Sequence, residues 1–234
     1  MTIGLVFLSL LMGVIVWWLF RQTINVEPWM AQAAVAEAPP VAAPRPPAKI
    51  ALWVFLAVAT SLFALFVSAY AMRLGGLSDW APLPRPRLLI LNTALLVGAS
   101  LAMEWTVHAA RRGDLARVRR GLWAAGLLTV GFVAGQLVVW MQLHSAGFFV
   151  STNAATAFFF LFTGVHGLHV LGGLVAWVRA TLRAWSDEPD ADKVRLVVEL
   201  CTTYWHYLLV VWVALYALLV SNDLGLAICS SATL

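Results

Sequence analysis

The stretch GLWAAGLLTVGFVAGQLVVWMQLHSAGFFVSTNAATAFFFLFTGVHGLHVLGGLVAWV runs from Gly121 to Val178 without a single Asp, Glu, Lys or Arg. A helix needs roughly 20 apolar residues to cross ~30 Å of hydrocarbon, so this run holds two spans and a turn. They are Gly121–Gln142 and Ala154–Val178. Four further apolar segments lie outside them: Ile3–Phe20, Ile50–Met72, Leu88–Val107 and Leu196–Val220. Backbone groups in lipid must be bonded within the chain, which selects helices. The expectation is an all-α membrane protein, a six-transmembrane-helix bundle. The ten prolines fall between the segments and leave every span unbroken.

Composition agrees. Of 234 residues, 62% are hydrophobic and 11% charged, with a mean hydropathy of +0.87. A soluble domain carries about a quarter charged residues. Ile3–Phe20 reads as a span and not a secretion signal, because it is long for a signal core and no Lys or Arg precedes Arg21. Residues 31–48, AQAAVAEAPPVAAPRPPA, form an Ala/Pro linker that builds no core. The expected parts are an N-terminal transmembrane helix (1–30), the linker (31–48), a five-helix bundle (49–221) and a C-terminal tail (222–234). Cys201 and Cys229 have no metal-binding or disulfide spacing, and Cys201 reads as a packing residue.

Twelve of the fifteen Lys and Arg residues fall in the loops after the first, third and fifth segments; only Arg73, Arg85 and Arg87 follow the second. The cytoplasmic side carries the excess, so both termini are expected on the outer, periplasmic side. The basic pI reflects this topology and points to no nucleic-acid partner.

Polar groups inside spans are costly and informative. The fifth segment carries His166 and His169, which share a helix face. The sixth carries Glu199, Thr203 and His206 at i, i+4 and i+7, one stripe. The third has Glu104 and His108 toward its inner end. If the last two helices are antiparallel neighbours, His169 and His206 lie at one depth, which predicts an interhelical contact between them. A proton-relay role for Glu199 and His206 ranks below this interhelical bonding. Too few histidines stand in mid-membrane to make a metal or haem site, which needs three or four placed ligands. Gly164, Gly167, Gly172 and Gly173 either admit a close neighbour or reflect ordinary glycine usage in membrane helices. Trp29, Trp80 and Trp185 sit near span ends as interfacial anchors.

Several motifs carry a resemblance. Thr163–Gly173, TGVHGLHVLGG, and Tyr204–Trp212, YWHYLLVVW, resemble signatures of cytochrome c oxidase subunit III. Leu91–Ser100, LNTALLVGAS, is similar to that family's LNT-x-LL-x-x-S segment, and Gly135–Gln136 followed by Trp140 to its Gln-containing helix. Glu199 stands at the family's spacing before His206. The matches come in family order from Lys49 to about Val220. The signature residues are Asn92, Thr93, Gln136, Thr163, Gly164, Gly167, Tyr204, Trp205 and Trp212.

The resemblance implies the short five-helix form of subunit III with an added first helix. It implies an accessory, non-redox subunit of a respiratory haem-copper terminal oxidase in the bacterial inner membrane. Such a subunit packs on subunit I, beside subunit II and small subunits, binds phospholipids and supports proton uptake. Haem and copper belong to the partner subunits, and a supercomplex with a quinol-oxidising complex is one arrangement open to the assembly. The family's intramembrane glutamate falls at Ala59, the aspartate of its YWHFVDVVW at Leu209, and a common acidic position at Val139. With these carboxylates gone, the chain is expected to act mainly as a scaffold, with little proton chemistry inside the bilayer. The alternatives are the equivalent subunit of a quinol oxidase or nitric oxide reductase, and more remotely a proton-coupled transporter. No repeat between the halves favours the transporter.

Overall fold

Each of the five predicted spans that fall within the described residues becomes a helix that outruns its apolar segment. In the computed structural model, which describes Trp17, 47–74, 88–186 and 189–231, with side chains to Leu219, there are five long helices. They are α1 (Pro47–Leu74), α2 (Leu88–Arg111), α3 (Leu115–Ser145), α4 (Ala154–Ala184) and α5 (Ala191–Ser231). All five are long and apolar enough to cross a membrane. Hydropathy registers only the part at hydrocarbon depth. The helices continue where arginine stems reach to the interface: α3 opens on Arg117, Arg119 and Arg120, and α4 closes on Arg179 and Arg183. The segment Ile3–Phe20, apart from Trp17, and linker residues 31–46 lie outside the described residues, while Pro47 and Ala48, expected in the linker, open α1. The backbone of α5 remains helical to Ser231, past the end expected near Val220.

The chain divides into two units, Met1–Gly76 and Leu77–Leu234. In the first, α1 buries a stripe of Leu56, Ala59, Phe63 and Tyr70. In the second, α2–α5 form a four-helix ring: α3 packs on α2 and α4, while α5 packs on α4 and closes back onto α2.

Within α2–α5, short connections make chain neighbours antiparallel. Between α2 and α3, Gly113 takes φ +72° and its amide bonds the Ala110 carbonyl at 3.1 Å. Asp114 then caps α3, accepting from the Arg117 amide at 3.0 Å. A side chain at Gly113 would meet open space, so only the backbone penalty applies. Gly113→Ala is therefore expected to lower stability by about 1 kcal/mol, read from thermal unfolding in detergent. Asn153 caps α4 through the Thr156 amide at 2.8 Å. Asp190 accepts from the amides of Asp192 and Lys193 at the start of α5. Its bond to the Lys193 side chain holds its carboxyl below the usual range.

Close approach is concentrated on α3. A Cβ on Gly121 would strike Thr106, one on Gly126 the Trp177 ring and one on Gly135 the Asn92 amide. Such small-residue contacts let helices pack without a hydrophobic driving force between them. The glycines singled out on α4 behave differently. Only Gly173 has a tight neighbour, Tyr204; Gly164 has ordinary contact with Trp140, and a Cβ on Gly167 or Gly172 meets nothing within 4 Å. Among the described residues nothing approaches Gly164, Gly167 or Gly172 closely. A repeat of small residues reports that a helix could be approached, not which face a neighbour occupies.

Candidate functional site

Many polar side chains in this bundle join one helix to another. Four tryptophans bridge neighbours or cross the core. Trp140 donates to Thr163 Oγ1 (3.1 Å), Trp212 to Thr93 Oγ1 (3.0 Å), Trp205 to Thr129 Oγ1 (3.0 Å) and Trp177 to the Leu122 carbonyl (2.9 Å). The three threonines in turn donate to carbonyls one turn back, at Phe159, Leu89 and Ala125. Every hydroxyl thus accepts from an indole and donates to its own backbone. This cross-linking role was missed by sequence reading, which sought tryptophans at span ends. Trp–Thr pairs on different helices leave no local signal. Trp185 does sit at a helix end, as the C-cap of α4, with the Arg119 guanidinium 5.4 Å from its ring centroid and bonded to the Ala184 carbonyl.

The α2/α5 seam carries the densest chain of polar contacts. Along α2 toward its C-terminal end, Thr93 meets Trp212; Ser100 and Glu104 meet His206; the Met103 carbonyl accepts from Thr202 at 3.2 Å; and Arg111 meets Glu199 at 3.3 Å. The numbers rise on α2 as they fall on α5, which is the antiparallel register. Glu199 also faces Arg195 at 3.4 Å, and its own carbonyl accepts from Thr203 at 3.0 Å.

This corrects the expected partner of His206. Its ring lies against α2, with Nδ1 2.5 Å from Ser100 Oγ and Nε2 3.0 Å from Glu104 Oε2. His169 points Nδ1 at the Val165 carbonyl of its own helix, 2.8 Å away. The α4–α5 pair is joined at that height by the Tyr204 hydroxyl, which donates to the His169 carbonyl at 2.9 Å. Equal depth fixed the height of the contact but not the rotation of α5. Tyr204→Phe is expected to lower stability by about 1 kcal/mol in the same unfolding assay, leaving the helices in place.

His166 also departs from expectation. It is fully buried, and among the described residues neither ring nitrogen has a hydrogen-bond partner. It packs instead as an aromatic, with ring centroids 5.2 Å from Trp212 and 5.9 Å, edge-on, from Phe132. Phe132 is in turn edge-on to Trp212 at 5.0 Å. One turn beyond Phe132 on α3, Gln136 accepts from the Asn92 amide at 3.2 Å. The signature residues Asn92, Thr93, Gln136, Trp205 and Trp212 thus meet across the core, while Gly164 and Gly167 lie outside it.

Chemically, these groups bond helices and can hold protons. Among the described residues no group of three or more His, Cys, Asp or Glu is placed to hold a metal ion. Cys201 is buried as a free thiol.

A polytopic helix bundle with this internal bonding defines a class of integral membrane subunit, and comparison narrows it. Residues 50–221 match the family model of cytochrome c oxidase subunit III. The chain is 35% identical over 161 residues to the "Probable cytochrome c oxidase subunit 3" of Nocardia farcinica, covering 67% of this chain and 76% of that one. It is 34% identical over 163 residues to the protein of the same description in Mycobacterium bovis (68% and 77%). It is 32% identical over 161 residues to the cytochrome c oxidase subunit 3 of Corynebacterium diphtheriae (66% and 76%). The chain belongs to the cytochrome c oxidase subunit III family. It is accordingly a membrane subunit of a haem-copper terminal oxidase.

Proposed function

We propose that this chain is the non-redox accessory subunit of a cytochrome c-oxidising terminal oxidase in a bacterial inner membrane. Haem and copper reside in the partner subunits. The chain packs chiefly on subunit I, beside subunit II and small subunits, and retains phospholipids; a quinol-oxidising complex joins the assembly. The arginine-rich turn between α2 and α3 faces the cytoplasm, in line with the excess of cations in the loops on that side.

The observation that carries the non-redox reading is how the polar side chains are used. Trp140, Trp205, Trp212, Thr129, Thr163, Tyr204 and Asn92 are engaged in bonds between helices. Such a bundle is suited to stiffness and to keeping a neighbouring subunit in place. The test is purification of the whole assembly in mild detergent, with subunit identification, a haem spectrum and oxygen uptake on cytochrome c and on quinol. The expected result is co-purification with a haem-copper subunit, no haem on the isolated chain, and oxidation of cytochrome c. Haem on the isolated chain, or turnover on quinol alone, overturns the corresponding part.

A further inference from the structure

The α2/α5 seam contains a continuous line of protonatable groups inside the membrane-spanning part of the chain. Ser100, Glu104 and His108 stand at i, i+4 and i+8 on α2 and so share one face. Glu104 uses its two oxygens differently: Oε2 is hydrogen-bonded to His206 Nε2 at 3.0 Å, and Oε1 is 3.3 Å from His108 Nδ1, whose own hydrogen bond goes to the Glu104 main-chain carbonyl at 2.8 Å. His206 Nδ1 is held by Ser100 Oγ. The carboxyl therefore stands between two imidazoles, one toward the inner end of α2 and one a turn deeper.

The line is also open to its surroundings. The side chains of Glu104, His206 and His108 are 43%, 45% and 54% exposed, whereas the polar residues of the core are buried. Glu104 sits two turns from Arg111, roughly 10 Å along the axis at 1.5 Å per residue. A carboxylate at that depth costs several kcal/mol unless neutralised, and the groups in reach of it are imidazoles. The other charged groups on the seam, Glu199 with Arg111 and Arg195, face one another nearer the helix ends.

We propose that His108, Glu104 and His206 form a proton relay along the α2/α5 seam. Turned from the main-chain carbonyl toward the carboxylate, His108 Nδ1–H passes its proton to Glu104 Oε1; the N–H bond breaks, the O–H bond forms, and His108 becomes neutral. Half a turn of the carboxyl, about a soft two-fold torsion, presents the same proton to His206 Nε2. There the O–H bond breaks and the N–H bond forms, leaving a carboxylate beside an imidazolium. Ser100 accepts from Nδ1–H throughout, which keeps Nε2 the atom that gains and loses the proton. One positive charge moves from His108, near the end of α2, to His206, a turn deeper in the span, and nothing is oxidised or reduced. This amends the expectation of little proton chemistry within the bilayer, since Glu104 supplies a carboxylate there. The relay rests on the oxidase reading only for the use to which the proton is put.

The test uses the full chain in lipid nanodiscs with ¹⁵N-labelled histidine, titrated by NMR, and infrared spectra in H2O and D2O. In the wild type, His108 and His206 are expected to titrate together, and a protonated-carboxyl band sensitive to deuterium to rise and fall with them. E104Q is expected to abolish the band and to make the two histidines titrate independently, while E104D restores the coupling. H206Q, which keeps Glu104, is expected to shift the pH at which the band appears. Independent titration of the two histidines in the wild type, or a band unmoved by E104Q and H206Q, overturns the relay. Failure of the chain to co-purify with a haem-copper subunit would defeat the oxidase reading and leave this titration standing.

Discussion

Replacing Trp205 with alanine is expected to lower the stability of the α2–α5 unit by about 3–5 kcal/mol, the range for removing a large core aromatic. Trp205 is fully buried and reaches from α5 across the ring to Thr129 on the diagonal helix α3. Its loss opens a cavity where α3 and α5 meet and strands the Thr129 hydroxyl as an acceptor. The apolar transfer term is smaller here than in water, because the unfolded reference in a membrane is also apolar; lost packing carries the cost. The measurement is denaturant-induced unfolding of the chain in detergent, followed by tryptophan fluorescence or circular dichroism. Thr129→Val in the same assay isolates the hydrogen bond, with an expected cost of about 1–3 kcal/mol for the unpaired indole N–H. A loss below about 1 kcal/mol for Trp205→Ala would show that the core closes over the gap and that the diagonal contact is dispensable.

Gly126→Leu is expected to cost at least about 1–3 kcal/mol through overpacking. The first atom of any side chain there would stand 2.2 Å from the Trp177 ring. To make room, the indole must swing away and give up its bond to the Leu122 carbonyl, adding about 1 kcal/mol. The control is Gly172→Leu on α4, where a Cβ meets nothing within 4 Å, so the chain alone should tolerate it. A Trp177→Ala background should recover part of the Gly126→Leu loss, since the two positions share one contact and their effects cannot add. Equal destabilisation by Gly126→Leu and Gly172→Leu would mean that propensity, and not the α3–α4 approach, sets the cost.

How much of the site was readable follows from the same residues. Glu199, Thr203 and His206 form a stripe because an α-helix repeats every 3.6 residues, and that much needs only spacing. The stripe's partner was assigned to α4 because α4 is the chain neighbour of α5, whereas the ring brings α2 against α5 as well. Glu104 and His108 were noted as polar, but nothing local joins them to a histidine over ninety residues later. His166 looked like a hydrogen-bonding group by type, yet its surroundings are the rings of Phe132 and Trp212. The glycines of α4 drew attention by their number, while those of α3 carry the close approaches because Thr106, Trp177 and Asn92 happen to face them.

By itself the sequence determined what depends on composition and short-range order. Apolar run length specified the five described spans, because hydrocarbon thickness and backbone bonding admit only helices of that length. Ordered motifs specified the subunit III family, over residues 50–221. Only the tertiary structure decided which helix faces which. That depends on rotation about each helix axis and on closure of the ring, and both emerge from side-chain packing across residues far apart in the chain. For that reason the Glu104–His206 pair, and with it the proposed relay, became visible only in three dimensions.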